Sequence, residues 1–157
     1  MRVNATARET WKYEAMTTTG LEIVDHTVHT TNEWLKELNN LMDWDDRHRS
    51  WRLLRAVFHA LRDWLQVNEA AHLGAQLPTL LRGLYYEGWH PAGTPVKKRS
   101  LADFRARIDK AFDTDPLKDP NDAISAVFVL LARHVTKGEV ADVRQSLPKD
   151  VRELWPK

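Results

Sequence analysis

Four side chains of metal-ligand type recur along one stretch near the N-terminus: Glu22, His26, His29 and Glu33. In a helix, their spacing brings them within about 60° of one another, so they share one face. Imidazole and carboxylate groups are good ligands for zinc or iron, which predicts a surface metal site, within one chain or between chains, or a metal-dependent enzyme. The apolar residues of this stretch fall on the opposite side, which favours the alternative of an exposed face with Glu22–His26 and His29–Glu33 ion pairs.

A second group of side chains is basic. Arginines and histidines recur along one face of a predicted helix, and a basic run follows later in the chain: His48, Arg52, Arg55, His59 and Arg62, then Lys97, Lys98 and Arg99. Arginines on one face can contact phosphates, which predicts binding of nucleic acid or another anionic ligand. Two tryptophans of the same helix suggest base stacking, although one belongs to the apolar stripe. The alternative is a solvated or internally paired face.

Paired aspartates and a cluster of aromatic residues have simpler interpretations. Asp43-Trp44-Asp45 and Asp113-Thr114-Asp115 resemble the start of a calcium loop, but they lack its central glycine and closing glutamate. They are therefore interpreted as helix caps. Tyr86 and Trp89 have no clear burial partner, which predicts either a protein-contact patch or packing of the adjacent segment onto the core.

Composition excludes several classes of function. The chain has no cysteine, which excludes disulfides, iron–sulfur clusters and thiol catalysis. Its 23 basic and 22 acidic residues give a net charge of +1, so no global field attracts nucleic acid or membrane. The sequence contains no Gly-x-Ser-x-Gly elbow and no glycine-rich phosphate loop. Without an apolar run of membrane-spanning length or a secretory leader, a cytoplasmic protein with no cofactor and no membrane partner is expected.

Helical spacing of apolar residues predicts the elements that carry these side chains. An amphipathic helix is expected over residues 21–42, with a stripe that includes Leu21, Val24, Val28, Leu35 and Leu38. A second helix is expected over 46–65, a third, short one from a cap at Asn68-Glu69 to about residue 76, and a fourth that starts at Pro78. The polar residues 1–19 are expected to form an N-terminal arm.

Two glycines and two prolines within residues 87–99 predict a linker, after which the helical pattern resumes. Ser100 and Asp103 have the spacing of a capping box. Asp119 and Pro120 open an apolar helix that should lie at the centre of the fold. A short helix is then expected from Lys137, and the last helix from Pro148 to about residue 155.

The chain repeats itself with a period of 70 residues. Without a gap, residues 34–87 align with 104–157, and twelve positions are identical, among them Phe58/Phe128 and Arg82/Arg152. Most of the shared positions are apolar residues, helix caps or a helix-starting proline. A duplicated structural unit explains this pattern, since retained core residues are what packing requires.

Two segments also resemble a known family. They are Ala71–Pro78 with Leu80–Leu84, and Asp142–Pro148 with Val151–Trp155; both contain Leu-Pro-x-x-(Leu/Val)-Arg. This is similar to the conserved uncharacterised bacterial family known as domain of unknown function 2267, whose members often carry the segment twice. The resemblance covers about residues 31–155. It implies an all-helical bacterial cytoplasmic protein with an association with stress physiology, and it transfers no catalytic residue.

We therefore expect an all-α domain of two tandem four-helix repeats packed pseudo-symmetrically. Its parts are an arm (1–19), a first repeat (20–86), a linker (87–99) and a second repeat (100–157). The expected function is that of a non-enzymatic interaction or adaptor protein that binds a protein partner or a second copy of itself. The alternatives are nucleic-acid or anion binding through the basic face, and a metal-dependent enzyme at His26 and His29.

Overall fold

The computed structural model describes residues 19–157, and this part of the chain contains eight α-helices and no β-strand. The helices are α1 (Glu22–Met42), α2 (Arg47–Trp64), α3 (Val67–Ala75), α4 (Thr79–Tyr86), α5 (Leu101–Ala111), α6 (Pro120–His134), α7 (Lys137–Ser146) and α8 (Lys149–Arg152). The predicted all-α class is confirmed. None of these helices has the length and apolar character required to cross a bilayer. The predicted arm lies outside the described residues, apart from Thr19.

Side-chain caps define several of the helix starts predicted from sequence. The Asp46 carboxylate accepts a hydrogen bond from the Arg49 amide (3.1 Å) at the start of α2. Ser100 and Asp103 form the predicted capping box of α5, and Asp119 accepts from the first free amides of α6. These caps satisfy donors that have no partner within the helix. The aspartates of these loops therefore include helix caps.

Helices α2 and α6 lie side by side at the centre of the fold, as expected for α6. Helix α2 also packs against α1, α4 and α5, and α6 also packs against α1, α5 and α7. Most of their apolar side chains are fully buried, including Val57 and Phe58 on α2 and Val127 and Phe128 on α6. Each buried side chain of this size contributes about 1.5–3 kcal/mol relative to an exposed one, so these two helices form most of the core.

The first half of α1 does not join the core as its apolar stripe predicts. Leu21 and Val28 are 59% and 42% exposed, and Ile23 and Val24 are exposed as well, whereas buried residues begin at Thr31. The amphipathic pattern identifies a face correctly but not where the partner helices end. Helix α1 has 21 residues and its main partner α6 has 15, which leaves the first turns of α1 without full cover.

Three further boundaries differ from the sequence prediction. Helix α3 begins at Val67, with Gln66 as its N-cap residue, so the Asn68-Glu69 cap is wrong. Pro78 precedes the first turn of α4 instead of belonging to it. The last helix ends at Arg152, three residues earlier than expected, because Trp155 turns into the core and stacks on Phe128 with centroids 4.3 Å apart.

Arg82 explains why an arginine follows the Leu-Pro pair. Its guanidinium donates to the carbonyls of Gly74 (3.0 Å), Ala75 (2.9 Å) and Leu77 (3.0 Å). These are carbonyls at the end of α3 that have no helical partner. The side chain thus links the end of α3 to α4, on which it lies.

We expect Arg82→Ala to lower the free energy of unfolding by about 1–2 kcal/mol, because it removes these hydrogen bonds from a partly exposed site. The measurement is the urea midpoint of the full chain, with Lys149→Ala, another exposed cation, as the control. A midpoint for Arg82→Ala within error of the control would show that the three hydrogen bonds do not stabilise the fold.

Candidate anion-binding groove

Basic side chains from α2 and α5 converge on one groove between these helices. Arg52, Arg55 and His59 lie along α2, and Arg107 and Lys110 lie along α5. The floor consists of small apolar residues, Ala56, Ala60 and Ala111, and the cavity measures about 320 Å³. We call these eight residues the basic groove. Alanine on both helices leaves room between them, so the long cationic side chains form the walls.

Local sequence explains why the groove faces outward. The apolar residues of α5, including Phe104 and Ile108, are fully buried, and Arg107 and Lys110 fall between and beyond them on the exposed side. On α2, residues at positions i, i+3 and i+7 share a face. Packing of α5 on α2 then brings the two basic edges together. From Arg52 to His59 the groove extends about 10 Å along α2.

The cations of the basic groove outnumber their acidic partners. Arg55 pairs with Glu87 (3.0 Å), and Arg107 pairs with Asp63 (2.8 Å). Arg52 and Lys110 form no ion pair with any residue of the described chain. Four cations against two carboxylates leave a local excess of +2. This excess contrasts with the near-neutral chain as a whole.

Aromatic rings hold two of these cations at the edges of the groove. The Arg52 guanidinium lies 4.9 Å from the centroid of Phe112, and that of Arg107 lies 5.3 Å from Trp64. Such contacts contribute about 0.5–1 kcal/mol at partly exposed sites. They orient each guanidinium without neutralising its charge. Donors of this fork-shaped type match carboxylate and phosphate oxygens.

His59 adds a group whose charge depends on its surroundings. Its Nε2 lies 2.7 Å from the Leu84 carbonyl, so the neutral ring carries its proton on Nε2. Burial lowers the pKa of His59, the hydrogen bond to Leu84 raises it, and the charges of Arg62 and Arg55 lower it further. Conversely, the Arg55 hydrogen bond lowers the pKa of the Glu87 carboxyl. An anion in the groove would favour the protonated imidazole.

Arg62, predicted as a binding residue, points into the protein. It is 4% exposed; its Nε donates to Asp63 (2.9 Å), and its Nη1 donates to the carbonyls of Tyr85 and Glu87 (2.9 Å each). All of these acceptors are internal, so the structure assigns its guanidinium to the junction of α2 and α4. The helical period that aligns it with Arg52 and Arg55 does not show that α4 covers this end of α2.

The basic run Lys97, Lys98 and Arg99 crosses the C-terminal end of α2. The Val96 amide donates to the Asp63 carbonyl (2.9 Å), and Arg99 donates to the Trp64 carbonyl (3.4 Å). Lys97 and Lys98 are exposed. The run thus lies beyond Asp63, which separates it from the basic groove along the helix.

Tyr86 and Trp89 are half-buried and stack on each other, with centroids 5.3 Å apart. The Tyr86 hydroxyl donates to the Ala71 carbonyl (3.3 Å), and both rings pack against the core. An added Cβ at Gly74 would overlap the Tyr86 hydroxyl, which explains why glycine occupies that position. These contacts are those of the alternative interpretation, a linker packed onto the core.

The metal candidates predicted on α1 lie on an exposed surface. His29 Nε2 is 3.1 Å from Glu33 Oε1, which is the predicted ion pair. Glu22 and His26 are exposed and form no ion pair within residues 19–157. A different set is brought together elsewhere in the described chain: Glu69, His72 and Glu139.

Sequence reasoning missed two parts of these sites. Arg107 and Lys110 are spaced i, i+3 beside an apolar stripe, but only the packing of α5 on α2 places them opposite Arg52. Glu69 and His72 do have a recognisable signal, since Glu-x-x-His is a spacing used by metal sites in helical bundles.

A larger cleft of about 600 Å³ lies between the α1–α2 and α5–α6 loops. Its charges compensate one another: Arg49 pairs with Asp115 (3.5 Å) and stacks over Trp44 at 4.5 Å. Lys118 faces two further aspartates on the same rim, Asp119 and Asp122. A cleft with balanced charge attracts no charged ligand as strongly as the basic groove does, so we give the groove priority despite its smaller volume.

Comparison with protein families matches residues 31–154 to domain of unknown function 2267 (DUF2267), described as an uncharacterized conserved protein. The chain belongs to this family. The resemblance inferred from the Leu-Pro-x-x-(Leu/Val)-Arg segments is therefore confirmed. Comparison with curated proteins gave no match. In this DUF2267 chain the matched segment contains α2–α8 and the second half of α1, so both helices of the basic groove lie inside it.

Proposed function

We propose that this DUF2267 chain is a non-enzymatic binding protein whose basic groove docks an acidic segment of a partner protein. The observation that carries the proposal is the convergence of four cations from two helices on one groove with only two carboxylate partners. Arg52 and Lys110 retain their full charge for a ligand. Carboxylates on the partner would receive forked hydrogen bonds from the arginines.

A protein segment fits this surface better than a nucleic acid does. A groove of about 10 Å offers contacts to a few acidic side chains, whereas affinity for nucleic acid grows with the number of neutralised phosphates. Trp64 is buried and Trp51 is half-buried against the core, so neither presents a free face for base stacking. Nucleic-acid binding is the second outcome that the experiment below distinguishes.

The proposal includes a duplicated scaffold with an arm (1–19), two repeats (20–86 and 100–157) and a linker (87–99). Contacts between the halves support it. Trp34 stacks on His134, with centroids 4.4 Å apart, and Phe104 meets Trp64 edge-on at 5.3 Å. Each residue of the first pair is exactly one period of 70 from a residue of the second.

The ion pairs beside these rings follow the same relation. Glu37 pairs with Arg133 (3.6 Å), and Arg107 pairs with Asp63 (2.8 Å), so the charges are exchanged between equivalent positions. Arg152 donates to the Leu147 carbonyl (2.9 Å), as Arg82 donates to that of Leu77. Under this proposal the basic groove is private to one of two equivalent helix junctions, and its site of action is the bacterial cytoplasm.

The test is a fluorescence-anisotropy titration of a labelled glutamate-rich peptide with the full chain. We expect the double substitution Arg52→Ala/Lys110→Ala to weaken binding at least about tenfold, since each lost charged hydrogen bond contributes about 1 kcal/mol or more. The affinity of the wild type should fall as salt is added. A single-stranded oligonucleotide of equal charge serves as the competing ligand.

The matched control is Lys36→Ala/Lys149→Ala, which removes two exposed cations outside the groove. Equal losses in both double variants would show that general charge, and not the groove, drives binding. Tighter binding of the oligonucleotide than of the peptide would favour the nucleic-acid function.

A further inference from the structure

Three metal-ligand side chains meet where α3 and α7 cross. Glu69 and His72 lie one turn apart on α3, and Glu139 lies on α7. One ligand atom from each lies within 4.8 Å of the others. These side chains belong neither to the basic groove nor to the exposed face of α1.

Hydrogen bonds fix the position of α7 relative to α3 at this point. The Gln76 side chain donates to Thr136 Oγ1 (3.0 Å) and accepts from the Thr136 amide (2.9 Å). Thr136 in turn caps α7 by accepting from the Glu139 amide (3.4 Å). The first turn of α7, and with it Glu139, is therefore held against α3.

Glu139 is buried without a polar partner. It is 9% exposed, and its Oε1 accepts no hydrogen bond from any residue of the described chain; the same holds for Oε1 of Glu69. Two carboxylates facing each other in a low-dielectric interior repel, and an unpaired buried carboxylate is costly. A cation between them removes both penalties.

The sequence period gives independent support. Glu69 and Glu139 are one period of 70 residues apart and are both glutamate, whereas most of the other identical positions fill the core or end a helix. A half-buried or buried acid does neither. The residue one turn further is His72 on α3 and Asp142 on α7, both of which are also metal-ligand types.

We propose that Glu69, His72 and Glu139 bind a divalent transition-metal ion, Zn²⁺ or Mn²⁺, that joins α3 to α7. One imidazole and two carboxylates suit these ions, whereas Mg²⁺ prefers an all-oxygen set. Three protein ligands, one of them on the exposed His72, leave a position open to solvent. The ion would connect the two proposed repeats, because α3 and α7 belong to different ones.

The test is the thermal midpoint of the full, chelator-treated chain with and without excess Zn²⁺ or Mn²⁺. We expect at least one of the two ions to raise the wild-type midpoint by about 5 °C, with a smaller effect of Mg²⁺. His72→Ala, an exposed change, and Glu139→Gln, an isosteric one, should each abolish the shift. His26→Ala, from the exposed face of α1, should retain it.

His72→Ala guards against misfolding as an explanation, because its side chain lies at the surface and the metal-free variant should melt with the wild type. Loss of the shift in both site variants, with the shift retained in His26→Ala, supports the site. Any other pattern overturns it, including a wild type that responds to neither Zn²⁺ nor Mn²⁺.

Discussion

Replacing Arg62 with alanine should lower the free energy of unfolding by about 3 kcal/mol, the largest loss of stability that we expect from one charged residue. The change leaves the carbonyls of Tyr85 and Glu87 without their donor at the end of α4. It also removes one of the two arginines that compensate Asp63, which is itself buried. A buried acceptor that loses its partner carries the full cost of desolvation.

Chemical denaturation of the variant, compared with Arg52→Ala, measures this effect. Arg52 forms no ion pair, so its removal should change the free energy of unfolding by less than about 1 kcal/mol while weakening peptide binding. The two arginines, one helical face in the sequence, thus have separable roles. Equal stabilities of the two variants would contradict a structural role for Arg62.

Glu139→Gln should instead stabilise the chain, by about 2–3 kcal/mol at about pH 8 in the presence of a chelator. Burial, followed by the hydrogen bond and charge of Glu69, raises the pKa of the Glu139 carboxyl to about 7 from its ordinary 4.5. Above that pH the folded protein contains an ionised, buried carboxylate beside a second one. Glutamine has the same shape and carries no charge.

The sign of the pH dependence follows from proton linkage. Because the folded state binds this proton more tightly than the unfolded state, wild-type stability is greatest below about pH 4.5 and falls as the pH rises to about 7. The gain from Glu139→Gln should therefore disappear at about pH 4. Denaturation curves at the two pH values, with exposed Glu153→Gln as the control, measure the difference. A gain that is independent of pH would contradict the raised pKa.

The sequence was sufficient for elements whose signals are local. The capping box of Ser100 and Asp103 depends on residues three apart, and the start of α2 depends on Asp46 and the amide of Arg49. The apolar character of residues 123–131 likewise predicts a central helix, since no side of it suits water. Such information is contained within one or two turns of a helix.

Contacts between distant helices were not predictable in the same way. The faces of Arg52 and Arg62 look equivalent until α4 covers the second and α5 meets the first. Similarly, the stripe from Leu21 to Val28 looks like core because periodicity does not report the length of a partner. Glu69 and Glu139 lie 70 residues apart, and only the crossing of α3 and α7 shows that two acids share one buried position.

The central claim is that the basic groove is the docking surface, and amide chemical-shift mapping with the glutamate-rich peptide tests it most directly. We expect the largest perturbations at Arg52–His59 on α2 and at Arg107–Ala111 on α5, with α1 unaffected. Perturbations concentrated in the first turns of α1, or around the cleft formed by Trp44, Asp115 and Asp122, would contradict the claim.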